Sequence, residues 1–184
     1  MLKEKGFTLV EIAIVLVIIG LLIGGILKGQ QMIRNAKAKR LYKMADELRV
    51  AWNTFYDKYN QIPGDENING IPEGESGNGD GDGIIDSGEQ GAVFEDLSKA
   101  GLISGDYDGS NFPKHPFGGE VRIVWANVNG SGYKHWIRFM NVPWDIAQQI
   151  DMKYDDGKYD SGSIQANEEY QKSNDPINYF YIEL

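Results

Sequence analysis

Cysteine is absent from the 184 residues. That excludes disulfide staples, thiolate metal sites and cysteine nucleophiles. Histidine is nearly absent: His115 stands between Lys114 and Pro116, and His135 beside Trp136. No HExxH, GxSxG or phosphate-cradling loop occurs, so the chain reads as a non-enzyme. Cationic residues are in deficit, with 18 Lys and Arg against 27 Asp and Glu, a net charge of −9. A nucleic-acid partner is thereby excluded, because phosphate binding needs a basic surface. No proline precedes Pro63, so nothing of that kind interrupts a helix in the first third. Glycine is the contrary case. Its 23 copies exceed the usual share of ~7% and predict many turns. The length suits one domain with an appendage, and 41% hydrophobic residues exclude a disordered polymer.

What is present divides into three zones. Residues 7–27 hold a single charge, Glu11, in an otherwise apolar run. Residues 28–44 carry six basic side chains and no acidic one: Lys28, Arg34, Lys37, Lys39, Arg40 and Lys43. From residue 45 onward there are 25 acidic and 10 basic residues, a net of −15. This pattern is a membrane-associated stem, a basic collar and an acidic soluble head. About twenty apolar residues suffice to cross a bilayer as a helix. A secretory signal peptide would be followed by small residues at a cleavage site, whereas Lys28-Gly29-Gln30-Gln31 follow here. An ordinary single-span anchor fits by length. Its basic flank would then place the head in the cytoplasm.

Two details require more. A charged leader ends in Gly6 directly before Phe7, and Glu11 lies inside the run. There an ionised carboxylate costs roughly 2.5–3.5 kcal/mol without a partner. The segment KGFTLVEIAIVLVIIGLL resembles the amino terminus of type IV prepilins and of type II secretion pseudopilins. The resemblance implies a leader, 1–6, removed by prepilin peptidase between Gly6 and Phe7, with Lys3 and Lys5 on the cytoplasmic side. It implies N-methylation of Phe7 and a retained assembly helix. Glu11 would pair with the Phe7 ammonium of a neighbouring identical or related pilin subunit. The precursor would sit single-pass in the bacterial inner membrane, then pass into a pilus (or a periplasmic fibre, for a pseudopilin). A stretch at 59–65, Tyr-Asn-Gln-Ile-Pro-Gly-Asp, resembles a YGxxPGD junction of pilin-like proteins, with Asn60 in place of glycine.

The stem extends past the membrane. Leu41, Met44, Leu48, Ala51, Phe55 and Tyr59 recur at helical spacing. One helix over about 7–59 would be roughly 80 Å long. Its part over 28–59 is amphipathic, with one stripe for the head. The alternative is two helices broken near Gly24-Gly25 or Gly29. Gly20, Gly24, Gly25 and Gly29 also suit close packing of helices in lipid.

The head, 60–184, opens on a glycine- and acid-rich stretch. Over 78–89 the residues alternate as in a calcium loop, with glycine sixth and glutamate twelfth. Asn78, Asp80 and Asp82 supply side-chain oxygens, Ile84 a carbonyl, Asp86 a direct or water-mediated contact and Glu89 both carboxylate oxygens. Ile85 would plug the core behind them. The expected role of Ca2+ is structural, and magnesium fits less well. A less regular acidic cluster includes Asp151, Asp155, Asp156 and Asp160. Strands are predicted over 120–128, 133–140 and 177–182, with a hairpin at 129–132. Helices are predicted over 91–99 and from Val142, capped by Asn141, to about Ile150. The fold expected is α+β, a long N-terminal helix packed on a small antiparallel sheet. The four tryptophans and ten tyrosines read as core and interface.

These features support a filament subunit. The alternatives are a type II secretion pseudopilin, and a membrane-tethered, calcium-dependent binding protein that does not polymerise.

Overall fold

The structure is a computed structural model that describes residues 8–72, 77 and 79–184. Gly6, Phe7 and Asn78 lie outside the described residues. Two compact units meet in sequence at Lys37 and Ala38.

Helix α1, Leu9–Tyr59, runs 51 residues without interruption, so the two-helix alternative does not hold. Its four glycines weaken the helix by about 1 kcal/mol each relative to alanine. Without proline they do not break it. Among the described residues of the first unit the apolar side chains point outward all round, with Leu9 91% and Leu21 73% exposed. By length and composition this stretch is able to cross a membrane.

In the second unit α1 buries one stripe: Ala38, Leu41, Ala45, Leu48, Ala51, Trp52 and Phe55. These recur three and four apart, the spacing of one helical face. Met44 and Tyr59 are half-buried at its margins. The helix stops where Asn60 turns left-handed, φ 52°, and donates its N–H to the Tyr56 carbonyl at 2.7 Å. Asparagine tolerates that conformation, so it closes the helix where the resemblance expects glycine.

The head adds α2, Ala92–Lys99, and a four-stranded antiparallel sheet. The strands are β1 (Val121–Asn127), β2 (Tyr133–Val142), β3 (Ile164–Ala166) and β4 (Ile177–Glu183), in the order β1-β2-β4-β3. Helix α3, Trp144–Tyr154, connects β2 to β3. Ile123, Ile137, Phe139, Phe180 and Ile182 face the core shared with Phe55 and Phe94. The opposite face buries Val124, Val128, Trp136 and Tyr181.

Two boundaries differ from expectation. Strand β2 continues through Val142, which pairs with Ile177, and α3 begins only at Trp144 with Pro143 as its cap. The β-branched Val142 gains more as a paired, buried residue than as a first helical turn. Strand β3 was not anticipated, because three residues offer no measurable periodicity.

Candidate metal centre and helix start

Segment 79–89 folds around a residue that precedes it by more than a dozen positions. The Asp65 carboxylate is almost fully buried. One oxygen accepts the N–H groups of Gly81 at 2.8 Å and Asp82 at 3.2 Å, and the other that of Gly83 at 2.8 Å. Gly81 and Gly83 reach this arrangement at φ 78° and 87°. Gly79 donates to the Glu66 carbonyl at 2.9 Å, and the Asn67 amide to the Asp80 carbonyl at 3.0 Å. Approach is so close that a Cβ on Gly79 would lie 2.3 Å from the Asp65 backbone.

Within the loop, Asp80 accepts the Asp82 N–H at 3.1 Å and Asp82 that of Ile84 at 2.8 Å. Glu89 spans the turn: its two carboxylate oxygens accept the N–H groups of Asp80 at 3.2 Å and Asp86 at 3.1 Å. Asp86 is exposed and accepts the Gly88 N–H at 2.7 Å. Ile85 is fully buried, as expected of a plug. It donates to His135 Nε2 at 3.3 Å and accepts the Trp125 N–H at 3.2 Å, which ties the loop to β1 and β2.

Asp65, Asp80 and Asp82 each present an oxygen within 4.8 Å of the others. Two oxygens bound to one calcium, each about 2.4 Å away, are at most about 5 Å apart. The donor set is hard oxygen throughout, which fits a divalent cation of that class. Burial pushes the Asp65 carboxyl up, against the pull of its three N–H donors. Burial also raises Glu89, and the charges of Asp86 and Asp65 add to it. A cation there would favour both charged forms. Sequence spacing missed Asp65, which appeared only within the 59–65 junction. The one available signal was an aspartate directly after Pro63-Gly64, ahead of an acid-rich loop.

The second acidic group comprises Asp151, Asp155 and Asp156, also within 4.8 Å, and Asp160 is not among them. Each of the three holds a turn. Asp151 is buried and accepts the Tyr170 hydroxyl at 2.7 Å and the Gly157 N–H at 2.9 Å. Burial, with the charges of Asp155 and Asp156 adding, pushes its carboxyl up to about 6. Asp155 accepts the Ile164 N–H at 2.8 Å, and Asp156 the Ser161 hydroxyl at 2.7 Å.

At the other end of the chain, Thr8 and Glu11 bond reciprocally. One Glu11 carboxylate oxygen accepts both the N–H and the hydroxyl of Thr8, each at 2.8 Å. The Thr8 hydroxyl oxygen in turn accepts the Glu11 N–H at 3.2 Å. This is a capping box, which satisfies amide groups left open by the first turn. The stem's acid therefore meets part of its hydrogen-bonding need within its own helix.

Residues 1–27 match the family model described as the prokaryotic N-terminal methylation motif. That motif is the prepilin-type cleavage and methylation segment, the recognition site of prepilin peptidase. It supports a type IV pilin-like or pseudopilin precursor, a structural subunit with a membrane anchor. No curated protein and no solved structure matches the chain.

Proposed function

We propose that the chain is a type IV pilin-like structural subunit. Prepilin peptidase cuts after Gly6, Phe7 becomes an N-methylated terminus, and the apolar half of α1 polymerises into a filament. The observation that carries this reading is the methylation motif at the head of a helix whose apolar residues stay uncovered along the first unit. A surface of that size needs lipid, or like helices, around it. It would have the first as an inner-membrane precursor and the second in the filament. On assembly the Glu11 carboxylate would gain the Phe7 ammonium of a neighbour, a buried acid neutralised by a specific cation. The amino-terminal mass of protein taken from cells tests the processing. A methylated phenylalanine start is expected, and a retained Met1 would overturn the reading.

The head is stabilised by calcium in this proposal. Asp65, Asp80 and Asp82 form the centre of the site, with the Ile84 carbonyl, Asp86, Glu89 and Asn78 completing it. An ion bound only by the folded head adds stability by mass action and offsets the repulsion among these carboxylates. The role is structural, in a chain with no cysteine to staple the head. Chelation should lower the melting temperature of the detergent-solubilised chain, and identical melting with and without calcium would remove the claim.

The acidic loop in a cysteine-free head also favours a second reading, a type II secretion pseudopilin of a short periplasmic fibre. Deletion of the gene separates the two. Loss of surface filaments supports the first, and loss of exoprotein export with filaments intact supports the second.

A further inference from the structure

Two lysines of the basic collar, Lys28 and Lys39, carry charge that no acidic residue near them on the helix balances. Between Glu11 and Asp46 the chain contains no acidic residue. Lys28 and Lys39, both exposed, therefore have no carboxylate within one helical turn, and Lys39 stands four residues from Lys43. Like charges at that spacing destabilise a helix. Further along, Glu47 serves two cations, Arg40 at 2.7 Å and Lys43 at 3.5 Å. The Lys39–Lys43 spacing thus costs the helix stability, and the collar follows directly on the uncovered apolar stretch of the same continuous α1.

We propose that the collar docks on the acidic head surface of a second copy of this chain. This rests on the polymerising reading above and names the partner of that interface. The argument is charge complementarity. Residues 45–184 carry a net −15, opposite in sign to the collar of six basic residues. Heads of like charge repel when crowded, and interleaved collars offset that repulsion. An anionic lipid surface is the less favoured occupant. With Lys3 and Lys5 held in the cytoplasm by the leader, the collar emerges on the opposite face, where basic flanks are disfavoured.

The test uses the full chain in cells that make the filament. Copies grown in light and heavy nitrogen are mixed, assembled and treated with a carbodiimide, which joins a lysine amine to a carboxylate only at contact. Mixed light–heavy amides from Lys28 or Lys39 to acidic residues of the head are expected. Lys28→Glu/Lys39→Glu should lower filament yield about tenfold, with Lys28→Gln/Lys39→Gln intermediate and membrane insertion unchanged. Wild-type filaments without mixed amides would overturn the inference and leave the polymerising reading intact, as would full assembly of the charge-reversed variant. Loss of the reversed variant from anionic membranes, without an assembly defect, would assign the collar to lipid and overturn it as well. Absence of any wild-type filament would instead count against polymerisation itself.

Discussion

The hydroxyl and amide of Thr8 converge on one carboxylate oxygen of Glu11, each at 2.8 Å, at the point where α1 begins. An acid inside an apolar stem therefore has two functions to reconcile. In the single chain it closes the first turn of its own helix. In the proposed filament it takes a neighbour's ammonium, and a carboxylate has lone pairs enough for both.

Glu11→Ala should abolish filament incorporation while leaving the protein inserted and stable in the membrane. The helix keeps its apolar length, and what is lost is the charge together with the acceptor for the Thr8 N–H and hydroxyl. Thr8→Ala should weaken the helix start by about 1 kcal/mol, the usual worth of a cap. Quantifying sheared filaments against membrane-bound subunit checks both, and unchanged incorporation of Glu11→Ala would contradict the pilin-like reading.

Asp65 should matter to calcium as much as any residue inside 78–89. Asp65→Asn should remove most of the calcium-dependent rise in melting temperature, since one of three clustered carboxylates is lost. Retention of the full calcium shift would exclude Asp65 from the site.

Gly79→Ala should destabilise the head by about 1–3 kcal/mol, the cost of overpacking. The added methyl collides with the backbone of Asp65 rather than with a side chain that can move away. Denaturant unfolding of the variant, with calcium and without, measures the loss. Wild-type stability would show that the loop does not close on Asp65.

Phe55→Ala should cost about 3–5 kcal/mol, because Phe55 is fully buried between α1 and the sheet-side core. The same change at exposed Tyr56 should be nearly silent. Comparable effects at the two positions would refute the assignment of the buried stripe.

Acidification should act on two buried groups with opposite sign. Burial lowers His135 to about 4, so the unfolded chain takes a proton there first. That stability is present above its ordinary value near 6.5 and is lost as pH falls toward 4. Asp151, raised to about 6, gains as pH falls through the range from 6 to 4. His135→Gln should leave a head that loses less stability between pH 6 and 4 than the wild-type head, and melting curves across that range read the difference. A steeper acid loss in the variant would reverse the assignment.

The parts that local spacing encodes were legible in the chain itself. An apolar run without proline specifies a helix, and α1 runs unbroken from Leu9 to Tyr59. Leu41, Leu48, Ala51 and Phe55 specify which face is buried. Alternation within a dozen residues likewise singled out Asp80 and Asp82, which the structure brings within reach of each other.

Contacts between distant segments were not legible, because no periodicity reports them. Asp65 enters the acidic centre only when the chain folds back on itself, and Ile85 meets His135 across 50 positions. Tyr42 stacks on Tyr154 with ring centroids 3.6 Å apart, a pairing that neither local sequence announces. The three residues of β3 become a strand only because β4 offers them an edge. Sequence determined the helix, its one acid and the divided charge, since these depend on neighbours along the chain. Tertiary structure decided which carboxylates come together and where β2 ends, since those depend on distant contacts and burial, which exist only after folding.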